Sequence, residues 1–227
     1  MQHHDHLPIL QLPTDFPSIN KRAYQPQTHP FDIPYELTER FQDLSEQLAV
    51  SVPHLMLAAF HVLVQRYSLA EEFLLGAVLP DLQVSNVHMV HCVQVPDQTF
   101  GQLAQQLQGR TLAERKTKGA IQAAFVFGEC GTELNQQECD LILQMDAGAA
   151  GIKGQLIYRR DLFLPSTILR MQRNFCVLLE GIADNPDQLT SRIRLVHHEE
   201  AELILNGFNA KTSAYPTDTC YPQLFLR

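Results

Sequence analysis

A chain of 227 residues is long enough to bury a sizeable core and suits one domain with tails. With 45% hydrophobic and 19% charged residues it is a packed protein, which excludes a disordered chain. The formal net charge of -8, without any Lys/Arg run, excludes a nucleic-acid surface, since that needs clustered cations to meet phosphates.

Residues 1–30 are rich in Pro, His, Gln and Thr and lack periodicity, so they read as an extended lead-in. No basic stretch precedes an apolar run there, so no secretory signal is expected, and no segment reaches membrane-spanning length. Leu37, Phe41, Leu44 and Leu48 recur at spacings of four, three and four, which predicts a helix over 35–48. Ser51 then offers an N-cap hydroxyl and Pro53 a preset φ, opening a helix in VPHLMLAAFHVLVQRYS that is apolar around much of its circumference. FLLGAVLP (73–80) and VHMVHCVQV (87–95) read as strands, and a third helix from about Thr99 turns Phe100, Leu103 and Leu107 inward.

IQAAFVF (121–127), CDLILQM (139–145) and IKGQLIY (152–158) are three further strands, the last two joined as a hairpin by DAGAAG. Pro165 opens a long helix carrying Ile168, Met171, Phe175 and Ile182 until Asn185-Pro186 stops it. A short helix at about 198–206 ends at Asn206-Gly207. The alternation predicts an α/β fold, a mixed β-sheet flanked by helices.

Candidate chemistry is sparse. Cys92, Cys130, Cys139, Cys176 and Cys220 are odd in number and lack CxxC spacing, which favours free thiols in a cytoplasmic setting. HHDH (3–6) resembles a solvated tail, although His3 with the amino terminus is a conceivable Cu(II) or Ni(II) ligand. His88 and His91 fall on opposite faces of a strand, and His54 and His61, seven apart on one helix face, have no third ligand beside them. No catalytic residue, metal or cofactor is expected. HHEEAEL (197–203) looks like an acidic helix start rather than an acyl-transfer histidine pair.

LPTDFP (12–17), LMLAAFHVLVQRYS (55–68), IYRRDLFLPSTILRMQRNFCVLLEGIADNPDQ (157–188) and LILNGFNAKTSAYP (203–216), taken in order, resemble one family. It is the C-terminal half of the condensation domains of nonribosomal peptide synthetases, with the linker into an adenylation domain; CYPQLF (220–225) is similar to that domain's first residues. The resemblance implies a single chloramphenicol-acetyltransferase-like lobe over residues 31–190, after a lead-in over 1–30, with a linker and adenylation-like start over 191–227. In the family the HHxxxDG histidines lie in the N-terminal lobe, ahead of LPTDxP. With LPTDFP at residue 12, a truncated lobe without its catalytic half is expected.

The likeness has gaps. NVHMVHC (86–92) stands where the family has a GxFVNT-like strand, and TLAERKTKGA (111–120) stands where HQDxPFE and RDxSRxPL are usual. The loop from Gly128 to Cys139 is also short. The resemblance therefore implies a non-catalytic remnant in a synthetase or hybrid polyketide module, a platform for the following adenylation domain through Leu203, Phe208, Tyr215 and Pro216. Two alternatives stand beside it: half of a split condensation domain completed in trans, and a homodimerisation module using the face of the missing lobe.

Overall fold

The computed structural model describes residues 10–17, 24–81, 87–109, 113–114, 121–128, 139–148, 151–197 and 201. The chain divides into two units, 1–195 and 196–227, and the fold below is that of the first. Its elements in order are β1 Pro26–Asp32, α1 Tyr35–Leu48, α2 Val52–Ser68, β2 Glu72–Val78, β3 His88–Val93, α3 Phe100–Gly109, β4 Ala113–Glu114, β5 Ala123–Phe127, β6 Leu141–Gly148, β7 Gly151–Arg159 and α4 Pro165–Asp184. The strands form one sheet in the order β1-β7-β6-β5-β2-β3-β4. It is mixed: β5 runs parallel to both β2 and β6, and the other pairs are antiparallel.

Strand composition follows position. In central β5, AAFVF, every residue is buried, so both faces are apolar and alternation disappears. In β3 burial alternates, with His88, Val90 and Cys92 inward. The inward set Phe73, Leu75, Val90, Phe125, Leu143 and Leu156 shares one core with all four helices, whereas Val78, Ala124, Val126 and Ile142 form a smaller cluster on the opposite face. All four helices therefore cover a single face. Ring contacts knit the layers: Phe60 of α2 meets Phe125 at 6.2 Å between centroids, and Phe31 of β1 meets Phe175 of α4 edge-on at 6.4 Å.

Local signals set the helix ends. The backbone of α1 turns at Ala49 (φ 53), where Ala49 N–H donates to Glu46 O and Val50 N–H to Ser45 O, a Schellman pair that buries Val50. Glutamines of α3 clamp that corner: Gln108 accepts from Ser51 N–H at 2.7 Å and donates to Ala49 O at 2.9 Å. Thr99 and Gln102 form a reciprocal capping box at the start of α3, which the T-x-x-Q spacing of the sequence encodes.

Two features depart from the sequence reading. Residues 26–30, assigned there to the lead-in, belong to β1, an edge strand whose exposure hides its period. Ile33 N–H donates to Ile152 O, so odd-numbered residues point their N–H groups toward β7 and even-numbered ones point outward. Pro26 and Pro30 occupy outward positions, where an N–H would otherwise invite another strand. The second departure is at Ser51: its hydroxyl caps no backbone N–H and instead meets the His54 ring.

The LPTDFP stretch is a docked strap. Asp15 and Phe16 N–H both donate to Leu162 O, at 2.9 and 3.2 Å, and Leu10 is buried. The Asp15 carboxylate accepts from Leu164 N–H at 2.8 Å and Thr167 Oγ1 at 2.9 Å, capping α4 from a distant part of the chain. Asp15→Ala should cost about 1–2 kcal/mol and speed proteolysis of residues 10–17, read by denaturation and limited digestion. Asp15→Asn should lose less, since an amide oxygen still accepts.

Candidate docking surface

The four residues that the sequence nominates for contact with an adenylation domain, Leu203, Phe208, Tyr215 and Pro216, lie outside the described residues. So do His3, His4, His6, Cys130, Cys220 and His198. Of HHEEAEL, His197 is exposed and its carbonyl accepts from Ala201 N–H at 2.9 Å, an i to i+4 helical bond. That geometry suits the helix start read from the acidic residues.

The remaining histidines separate into local roles. His88 is buried and His91 exposed, as the strand period requires, and His91 Nε2 meets Glu72 Oε1 across the strand pair. His61 is buried with its ring edge-on to Phe73 at 5.3 Å. His54 and His61 do share the inward side of α2, but among the described residues no three His, Cys, Asp or Glu side chains converge as metal ligands.

Ser51, His54 and Asp81 come closest to a catalytic arrangement. Ser51 Oγ and His54 Nδ1 lie 2.8 Å apart, while His54 Nε2 is 3.9 Å from Asp81 Oδ2, beyond hydrogen-bond range. Ser51 is the N-cap of α2 and His54 stands three residues on, so the contact is a side-chain version of a capping box. Burial pushes the His54 imidazole below its ordinary value, and the Asp81 carboxylate draws it part of the way back.

A depressed histidine binds protons more readily once unfolded. Its contribution to stability is therefore complete above its unfolded value near 6.5 and is lost as pH falls through the lower folded value. His54→Gln should flatten that part of the stability-versus-pH curve, and Asp81→Asn should carry it to lower pH; urea titrations at several pH values read both.

Cys92 and Cys139 are buried in the core. Burial pushes the Cys176 thiol up, against an opposing hydrogen bond from Gln172, so it is a weak nucleophile. A firm polar junction that sequence reasoning missed joins Arg159 to Asp161 through two contacts, at 3.1 and 2.7 Å, where β7 meets the turn into α4. Only the adjacent RRD letters hint at it.

A seven-stranded mixed sheet with its helices on one face and the hairpin β6–β7 beside an N-terminal edge strand is a chloramphenicol-acetyltransferase-like lobe, half of the architecture of a condensation domain. The chain is similar to tyrocidine synthase 2 of Brevibacillus parabrevis, 24% identical across 96% of this chain and 7% of that protein. Among solved structures it resembles a four-domain nonribosomal peptide synthetase bound to AMP and glycine, with a TM-score of 0.71 at 16% identity over 86% of this chain and 20% of that one. It also resembles the condensation domain of monacolin K polyketide synthase, with a TM-score of 0.64 at 13% identity over 81% of this chain and 54% of that one.

The teicoplanin X-domain in complex with OxyB gives a TM-score of 0.63 at 20% identity over 83% of this chain and 52% of that one. No protein-family model matches the chain. The alignment with tyrocidine synthase 2 runs over 265 positions, 38 more than the 227 residues here, so that relative carries internal segments without a counterpart in this chain. Among the described residues no single helix is long and apolar enough to cross a membrane.

Proposed function

We propose that the chain is a non-catalytic condensation-domain remnant in a nonribosomal peptide synthetase or hybrid polyketide module, serving in the cytoplasm as a platform for the adenylation domain that follows it. One contrast carries this reading: the lobe's core is complete, from Phe60 and Phe125 to Phe175, while the aligned span is at least 38 positions shorter than in a synthetase relative. In this reading those losses fall at the HQDxPFE, RDxSRxPL and Gly128–Cys139 stretches. A platform role has a parallel in the teicoplanin X-domain, a similar fold found in complex with another protein, OxyB. In this reading Leu203, Phe208, Tyr215 and Pro216 contact the adenylation domain, and His197-His198 open the linker without taking a proton.

The test is to prepare the adenylation domain with and without this lobe. The lobe should raise its melting temperature and adenylation rate, and Ala at Leu203, Phe208 and Tyr215 together should remove the gain. Unchanged stability and rate would sink the platform reading, and amide formation that requires this lobe plus a second polypeptide would replace it with a split enzyme.

A further inference from the structure

We infer that the cleft between the end of α2, the turn after β3 and the chain beyond α4 binds a small zwitterion: an apolar α-amino acid, or a dipeptide carrying one. The cavity is about 340 Å³, within the range of pockets that hold small ligands, and Arg66, Leu69, Val95, Pro96, Asp97 and Ser191 line it. Three separate stretches of sequence supply these residues, so no motif announces the site. Its chemistry is bipolar with an apolar wall.

Arg66 is already oriented. One guanidinium nitrogen, Nη1, donates to Ser191 O at 2.8 Å and to Ile193 O at 3.4 Å, which fixes the side chain and leaves Nε and Nη2 without partners among the described residues. A planar fork held in this way suits a carboxylate. Asp97 has no cation or donor partner among the described residues, and its carboxylate suits an ammonium group. Both residues line one cavity, and no ion pair joins them.

The apolar wall is unusually open. Leu69 is 84% exposed on a left-handed cap (φ 54), and Val95 is 43% exposed. A ligand side chain laid on Leu69, Val95 and Pro96 would remove that surface from water while its two charged ends meet Arg66 and Asp97. A plain anion leaves Asp97 facing like charge, and a plain amine leaves Arg66 unmatched.

The site is tested by NMR titration of the isotope-labelled 227-residue chain with L-leucine and with leucyl-leucine. Saturable shifts at Arg66, Leu69, Val95, Asp97 and Ser191 are expected, with a dissociation constant of about millimolar for so few atoms. Whichever of the two ligands binds more tightly sets the size of the occupant. N-acetyl-leucine and leucinamide should each bind at least about tenfold more weakly, having lost one charged end. Asp97→Asn, on an exposed turn that leaves the fold intact, should abolish the discrimination against N-acetyl-leucine, and Arg66→Gln that against leucinamide. Absence of saturable shifts up to the solubility of leucine, equal binding of the blocked compounds, or unaltered discrimination in Asp97→Asn would overturn the inference.

Discussion

Phe60→Ala is expected to cost about 3–5 kcal/mol, the usual range for emptying a core aromatic. Phe60 has no exposed surface, and its ring lies against Phe125 of β5, which in turn meets Phe127 at 6.5 Å between centroids. The truncation therefore leaves a void between α2 and the central strand, where neighbours on both sides are already packed. Urea unfolding should show a lower midpoint at nearly unchanged slope. A cost below about 1 kcal/mol would mean that α2 can collapse onto the sheet, contrary to this packing.

Gly154→Ala is the second large effect. A Cβ at Gly154 would lie 2.4 Å from Phe31 Cζ, because the Phe31 ring covers the glycine directly across the β1–β7 pair. Moving the ring also disturbs its edge contact with Phe175, so overpacking should cost about 1–3 kcal/mol or more. The double variant Gly154→Ala, Phe31→Ala separates the causes. If the clash is the mechanism, adding Gly154→Ala to Phe31→Ala costs much less than adding it to the parent chain. Additive costs would exclude it.

Phe31 and Gly154 also mark where the sequence stops being legible. Helices α1, α3 and α4 are readable because their inward residues, such as Leu37, Phe41 and Leu44 of α1, repeat at the helical period, and α2 from Pro53 and its long apolar run. The hairpin β6–β7 is readable from two apolar runs joined by the turn DAGAAG. Strand β1 is not, since an exposed edge strand with two prolines carries no alternation, and only the distant Gly154 explains its Phe.

The candidate sites divide in the same way. Opposite faces for His88 and His91 follow from a period of two. The Ser51–His54 contact defeats the N-cap reading because the ring competes with the backbone for one hydroxyl. Asp15 at α4, and Arg66 with Asp97 at one cavity, depend on segments far apart in the chain, and local pattern holds no record of such meetings.

The pairing of β1 with β7 has a consequence for synthesis on the ribosome. Pro26 faces Arg159, so β1 waits for a partner made some 130 residues later, roughly 7–26 s at ordinary elongation rates. Throughout that interval its hydrogen-bonding groups are open to other nascent chains. Pro26 and Pro30 leave only Thr28 and Asp32 as donors on what becomes the outer edge, so the same two residues that blunt the finished sheet also guard the growing chain against mispairing with its neighbours on a polysome.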